Sequence, residues 1–477
     1  MTSRRAEERA RLGAPIGGDE SPLGWLGAGE LVPDARSMKL NARTQAPRRM
    51  SIASPVVFLV VTALAVIASC GMALAAAGDL DKHFGHRGKV VRDLGRDDEA
   101  VAVATKGGRN VTVGDVEVDG HEQLVVSEFD ADGRPDRDFA SHGTRKIAVP
   151  GDGYARDVAI EPNGKIVVAF TSDAPGAQRA FGVARIRPGG KLDKSFDHDG
   201  IQTTGFGAGF RDAYAEGVAL GPEGKILVAG AVYTESYAYD IALARYTADG
   251  QLDGSFSGDG RQTTDVDHGS EGANSIALDD SGRIVVGGTT RLNPTNVDRL
   301  LVARYDTSGE LDPSFSVGGV LTSNDARSAE DVVTVSGGRI VAVGTDADDF
   351  MVARFTAVGT PDASFSGDGV EAIDFADGVD QATSVALSGE KLVVAGAART
   401  RRRADDFAAA RLTGGGQLDR SFSHGGLRTV DLSENDDEAL DVAIDSRSRV
   451  VLAGSVTHRG GGEDGTDTGL VRLLGRG

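Results

Sequence analysis

Gly250 to Asp265 reads GQLDGSFSGDGRQTTD, and nearly the same phrase is written seven times along the chain. It recurs as GDLDKHFGHRG from Gly78, GRPDRDFASHG from Gly133, GKLDKSFDHDG from Gly190, GELDPSFSVGG from Gly309, GTPDASFSGDG from Gly359 and GQLDRSFSHGG from Gly416. Its phenylalanines, Phe84, Phe139, Phe196, Phe256, Phe315, Phe365 and Phe422, lie 50 to 60 residues apart. That period marks propellers and solenoids.

Three short apolar pieces separate one phrase from the next. Around the quoted copy they are GVAL from Gly217, GKILVAG from Gly224 and IALARY from Ile241. Each is β-branched or alanine-rich and bounded by Gly, Asp or Asn, so each reads as a strand. The segment after the phrase, such as Arg261 to Val266, supplies a fourth. Four antiparallel strands in each of seven units predict an all-β, seven-bladed β-propeller, whose radial closure leaves few free sheet edges. An open β-solenoid is the competing arrangement. The ends favour the ring. Residues 79–94 read as a fourth, outermost strand and residues 470–474 as a third, so the N-terminal strand is expected to complete the last blade by pairing with residues 468–474. An alanine precedes each unit's inner-strand valine, or isoleucine in one unit, by three positions, at Ala100, Ala155, Ala215, Ala273, Ala329, Ala382 and Ala439, where strands crowding an axis leave room for little else.

The chain has 477 residues, 66 of them glycine, and a formal net charge of −20. Such a surface repels nucleic acid and suits cations or basic partners. The single cysteine, Cys70, excludes an internal disulfide framework and a cysteine-rich metal site. Residues 51–77 carry no charge and follow Lys39, Arg43, Arg48 and Arg49. A basic region, an apolar run and the small-residue stretch Ala73 to Ala77 form the order of an export signal, with cleavage after Ala75 or Ala77. Two other readings share the segment: Ile67-Ala68-Ser69-Cys70 resembles a bacterial lipobox with a lipidated cysteine, and the run is long enough to anchor in a bilayer. All three place the repeats outside the cytoplasm, secreted or held on the outer side of the membrane. The expected organisation is a disordered or untranslated extension over 1–50, with Met1, Met38 and Met50 as candidate starts, a signal or anchor over 51–77, and the propeller over 78–477.

Taken together, the repeated elements resemble the bacterial delta-60 repeat family, whose units carry G-x-LD-x-SF-x-x-x-G followed by VA, GK-I-VVAG and F-x-x-AR-Y. The resemblance covers residues 78–477 and implies a propeller of extracellular bacterial proteins, with no established reaction. Unit one departs from it, reading as if Asn110 to Glu122 were inserted and Ser127 stood in the arginine's place.

Six third strands carry an arginine, Arg185, Arg245, Arg304, Arg354, Arg411 and Arg472, and in five units an aspartate follows eight residues later, at Asp193, Asp253, Asp312, Asp362 and Asp419. A tight turn places each pair on one hairpin as a structural ion pair, and ring closure assigns Asp81 to Arg472. A different acidic stretch, FDADGRPDRDF over Phe129–Phe139, offers Asp130, Asp132, Asp136 and Asp138 as a candidate calcium loop with oxygen ligands. Its spacing is not that of an EF-hand, and Asp136 has a turn counterpart in the other units.

The loops from each outer strand to the next inner strand should gather on one face with those between second and third strands. Several are acidic, including Asp265 to Glu271, Glu330-Asp331, Asp374 to Asp380 and Glu434 to Glu438; Arg399 to Arg403 is basic. His86, His198 and His424 share a turn position on separate blades and cannot form one site. No nucleophile elbow or P-loop is present. The expected function is a non-enzymatic extracellular or cell-envelope binding scaffold, a monomeric ring that takes a protein or polymer on its loop face and meets the membrane only through its N-terminal segment. The competing expectation is a hydrolase or lyase acting on an extracellular polymer with calcium.

Overall fold

The computed structural model describes residues 75–476, apart from 96–97, 175–177, 267, 293–296, 376–377, 400–403 and 459–464. Residues 1–74, with Cys70 and most of the export-signal reading, lie outside the described residues. Alternating apolar runs too short for helices become strands throughout, and the chain folds into seven four-stranded antiparallel sheets. Their inner strands are Ala102–Lys106, Asp152–Ile160, Phe210–Leu220, Ser270–Leu278, Asp331–Val335, Asp380–Ser388 and Asp437–Ile444. Six sheets use four consecutive strands. The seventh joins Asp437–Ile444, Val450–His458 and Gly465–Leu473 to Lys89–Arg92 at its outer edge. Lys89 pairs with Val471 and Arg92 with Thr468, Leu80 bridges to Leu473, and the Asp81 amide donates to the Arg472 carbonyl at 2.9 Å. The ring is closed by the N-terminal strand.

Each apolar cluster spans two neighbouring blades, so no sheet buries its faces alone. Phe196, after the third strand of blade two, packs with Ala213, Val228 and Tyr246 of blade three. Phe84, from the closing segment of blade seven, packs with Val103 and Phe129 of blade one. All seven repeated phenylalanines are at most 1% exposed. The seven alanines are equally buried, and several face a glycine on the second strand, as Ala215 faces Gly230 and Ala439 faces Gly454. A Cβ on Gly230 would lie 1.9 Å from the Tyr214 carbonyl oxygen. The inner strand bulges just after this alanine in five blades, from Ala155, Ala215, Ala273, Ala382 and Ala439, and the small pair lets its backbone fold onto the second strand.

The repeated phrase builds the belt that joins the blades. Gly250 has a φ of +92°, and a Cβ there would meet the Phe196 ring of the preceding blade at 3.0 Å; only glycine fits both the turn and the approach. The turns are also bonded in sequence around the circle. The amides of Gly85, Ala140, Asp197, Ser257, Ser316, Ser366 and Ser423 donate to the carbonyls of Asp132, Gly189, Asp249, Ser308, Val358, Gly415 and Ala77. The closing segment therefore enters the belt with the geometry of the other six copies.

The arginine–aspartate residues occupy the same belt. Nε of Arg185, Arg245, Arg304, Arg354 and Arg411 donates to Asp193, Asp253, Asp312, Asp362 and Asp419 at 2.8–2.9 Å, and Arg472 reaches Asp81 at 2.9 Å. Each guanidinium lies over the phenylalanine of its own unit, between 4.3 Å for Arg472 over Phe84 and 4.7 Å for Arg304 over Phe315. Its Nη1 donates to a carbonyl of the following blade, from Arg185 to Ala248, Arg245 to Thr307, Arg304 to Ala357, Arg354 to Gly414, Arg411 to Gly475 and Arg472 to Ala131. A second cation from the first hairpin also meets each aspartate: Lys165, Lys225, Arg283, Arg339, Lys391 or Arg449. The charges are thus paired and hydrogen-bonded, which is the condition for burying them.

Blade one corrects two sequence expectations. Asn110 to Glu122 is no insertion: Arg109–Val118 is the second strand and His121–Phe129 the third, joined by Asp119-Gly120 with both φ angles positive. The polar residues Thr112, Asp115 and Glu117 hid it from a pattern tuned to GKIVVAG. The arginine's place is held by Glu128 rather than Ser127, since the Asp136 amide donates to the Glu128 carbonyl as that of Asp193 does to Arg185. Arg109 compensates by pairing with Glu128 at 3.1 Å, but no guanidinium crosses to blade two from this position. Glu128→Arg should restore the missing tie to Asp136, Phe139 and blade two. We expect stabilisation of about 1 kcal/mol, the net value of a typical intramolecular hydrogen bond, read as a higher urea midpoint; an unchanged or lower midpoint would reject the assignment.

Candidate functional site

Strand direction puts the belt on one face and two sets of loops on the other: those between second and third strands, and those leading from one blade to the next inner strand. Three polar features are built on this loop side or the axis beneath it.

The first is a ring around the axis, two residues after each repeated alanine, where Asp157, Gly217, Ser275, Asp331, Ser384 and Asp441 stand in blades two to seven. Asp157 accepts from the amides of Val158 and, in the next blade, Val218, each at 2.7 Å. Asp331 accepts from Ser275 and from the Val385 amide at 2.8 Å, and Asp441 accepts from the Val103 amide of blade one at 2.7 Å. The Ser384 hydroxyl contacts both Asp331, at 3.0 Å, and Asp441, at 2.7 Å. It has one proton to give, so both contacts are satisfied when one of the two carboxyls holds a proton. Burial, with the charges of Asp441 and Asp331, raises Asp157 to about 7; burial raises Asp441 to about 6, with Asp331 adding to it.

The second is a set of carboxylate triads at four joints between blades, each with oxygens within 4.8 Å of one another: Asp93, Asp98 and Asp467; Asp240, Asp265 and Glu271; Asp349, Asp374 and Asp380; Asp406, Asp431 and Asp437. Each takes one residue from a third strand, one from just after an outer strand and one from the start of the next inner strand or, for Asp98, the segment leading into it. Burial raises Asp98 and Asp240 to about 6 and Glu271 to about 7.

The third is aromatic. Four of the seven tyrosines in the chain, Tyr214, Tyr233, Tyr237 and Tyr239, gather at the loop end of blade three. Tyr233 lies 4.8 Å from Tyr239, 6.3 Å from Tyr237, and Tyr214 lies 6.0 Å from Tyr239. Tyr237 is 69% exposed, with the Arg211 guanidinium 4.4 Å from its ring centre. Sequence reading passed over this group, although VYTESYAYD over Val232–Asp240 breaks the repeat pattern visibly.

The other candidates fall elsewhere. Asp130 accepts from the amides of Asp132 and Arg134 at 2.9 Å, Asp132 pairs with the Arg134 side chain, and Asp136 accepts from the Asp138 amide. These four aspartates lie on the belt side, in turns, and are in none of the four triads found among the described residues. His86, His198 and His424 are exposed on separate blades. Of the basic loop Arg399 to Arg403, only Arg399 is described, and it pairs with Asp405 at 2.9 Å; residues 400–403 lie outside the described residues.

The two carboxylate populations oppose each other in pH. For the raised groups, Asp157, Asp441, Asp98, Asp240 and Glu271, the folded state holds protons that the unfolded chain releases from about pH 4 upward, so stability falls as pH rises toward 7. For the belt, burial opposes ionisation of Asp193, but hydrogen bonds from Lys165 and Ser195 and the Arg185 charge bring it down to about 2; Asp253 and Asp419 are lowered likewise. Their contribution is present above about pH 4 and lost as pH falls through the folded values. In chelator, the melting midpoint should therefore be higher at pH 5 than at pH 8 or pH 3. A midpoint rising steadily from pH 5 to pH 8 would contradict the burial of the raised groups.

The model of a family described as a domain of unknown function (DUF5122) beta-propeller matches residues 161–196, 221–256, 280–315 and 338–365. Each window runs from the first hairpin of a blade to its repeated phenylalanine or close to it. No curated protein matches the chain. Similar solved structures include the polysaccharide lyase Uly1, 11% identical, covering 84% of this chain and 98% of that one, with a TM-score of 0.44. Sqt1 of Chaetomium thermophilum is 13% identical over 83% of this chain and 98% of that one, with a TM-score of 0.44. A protein of unknown function from Dyadobacter fermentans is 13% identical over 81% and 98%, with a TM-score of 0.40. The chain is a repeat protein of the β-propeller class.

Proposed function

We propose that this is a delta-60-type propeller that acts outside the cytoplasm as a binding scaffold, taking a basic protein or polymer on its loop face. The carrying observation is the tyrosine group of blade three, the one aromatic cluster of four among the described residues, beside the acidic triad Asp240, Asp265 and Glu271. Tyrosine supplies large contact area at little entropic cost and dominates binding surfaces, while neighbouring carboxylates favour a cationic partner. Elsewhere the blades repeat the same belt, which holds the fold. Tyr237→Ala should leave the melting midpoint within about 2 °C, since its side chain is largely exposed and exposed positions contribute little stability, and should abolish capture of the partner from envelope extract. Unchanged capture would overturn this reading.

Export over residues 51–77 belongs to the proposal, and the ring bears on where cleavage falls. The Ala77 carbonyl accepts from the Ser423 amide at 2.7 Å and Ala77 is 4% exposed. Cleavage after Ala75, or lipidation at Cys70, preserves this bond; cleavage after Ala77 removes it. N-terminal sequencing with intact mass distinguishes them. A second reading, a hydrolase or lyase on an extracellular polymer, is supported by the raised axial pair Asp157 and Asp441, whose groups could exchange protons near neutral pH. Release of new chain ends from a polysaccharide, lost in Asp157→Asn, would favour it; no release across acidic and neutral polymers would sink it.

A further inference from the structure

We propose that the joint between blades five and six, at Asp349, Asp374 and Asp380, is a calcium site. One carboxylate oxygen from each residue lies within 4.8 Å of the other two, the separation allowed when each ligates one ion at 2.3–2.6 Å. A carboxylate triad alone would say little, because three other joints have one. What sets this joint apart is the acid at or just before the start of the inner strand. Asp98 accepts from the amides of Leu94 and Gly95 on one oxygen and Thr468 on the other. Asp437 accepts from Leu432 and Ser433 with Oδ2 and from the Ser433 hydroxyl with Oδ1. Glu271 accepts from the Val266 amide and the Thr290 hydroxyl.

Asp380 is 0% exposed, its Oδ2 accepts from the Phe375 amide at 2.7 Å, and its buried Oδ1 has no hydrogen-bond partner; the Arg399 amide lies beside this carboxyl but donates to the Val379 carbonyl at 3.2 Å. A buried carboxylate oxygen without a donor is costly. No arginine or lysine among the described residues pairs with Asp349 or Asp380, and Asp346 and Asp348 add negative charge near Asp349. A hard divalent cation satisfies the orphaned oxygen and neutralises most of the triad, with water or backbone carbonyls filling the remaining positions. It would also clamp blade five to blade six through side chains of both, whatever partner the loop face takes.

The test is calorimetric titration of calcium into chelator-stripped full-length protein, with melting curves alongside. We expect one bound ion per chain and a midpoint several degrees higher in calcium. Asp380→Asn should weaken calcium at least tenfold, Asp349→Asn likewise, while Asp437→Asn, at a joint whose oxygens are already satisfied, should bind within twofold of wild type. Absence of calcium heat and of any midpoint shift in the wild type overturns the site, as does Asp380→Asn binding as tightly as wild type. An equal shift from magnesium would mark general charge screening and overturn it as well.

Discussion

Deleting residues 78–95 should leave a chain that either fails to fold or associates through its open edge. The deletion removes the outer strand Lys89–Arg92 from the last sheet, exposing the Gly465–Leu473 strand as a template for a second chain. It removes Phe84, fully buried between blades seven and one, a loss worth about 3–5 kcal/mol for a core phenylalanine. It strips Arg472, 1% exposed, of Asp81, and breaking a buried pair costs about 3–5 kcal/mol more. Together with the lost strand, these take up most of a typical total of about 5–15 kcal/mol. Light scattering with a melting curve reads the outcome, and a monomer melting where the wild type melts would refute the role given to this segment.

A single change in the same place should come second in size. Arg472→Met keeps an apolar stem over Phe84 but leaves Asp81, 4% exposed, with Arg449 at 3.1 Å as its one remaining cation beside the His83 amide and removes the bond to the Ala131 carbonyl of blade one. A loss near 3 kcal/mol is expected from urea unfolding. Exchanging the two charges, Asp81→Arg with Arg472→Asp, should recover only part of it. A carboxylate at 472 cannot stack on Phe84 or donate to Ala131, and an arginine at 81 would face Arg449. Loss below about 0.5 kcal/mol would reduce the pair to a solvated contact.

The repeats made the ring legible because local chemistry and global topology agree in every copy. Glycine at the turn, aspartate capping the residue two ahead and phenylalanine between sheets each recur where one physical demand recurs. The pairing of Arg472 with Asp81 across the chain ends follows from counting strands. Blade one was misread for the complementary reason. Glu128 replaces the arginine and Arg109 opens a strand without the GKIVVAG pattern, so nothing local marks the register that Asp136 and Gly143 set from the next hairpin. The second cations, Lys165 and its counterparts, stand beside strand residues as ordinary surface charges in one dimension, and only the fold brings them to the aspartates. The axial acids and the triads were half legible: acidic loops were visible, but the convergence of Asp349, Asp374 and Asp380 depends on a joint between units. The tyrosine hairpin was written in plain view, and a search for repetition looked past it.

The central claim is that the start of the propeller is the outer strand of its last blade, and amide hydrogen exchange tests it at residue level. Val90 and Arg92, whose amides face the Gly465–Leu473 strand, should exchange only on global unfolding, as slowly as Leu470 and Val471 to which the strand is paired, while the Val91 amide points outward from the edge. Exchange of the Val90 and Arg92 amides within seconds, while residues 450–473 stay protected, would mean that the ring stands open.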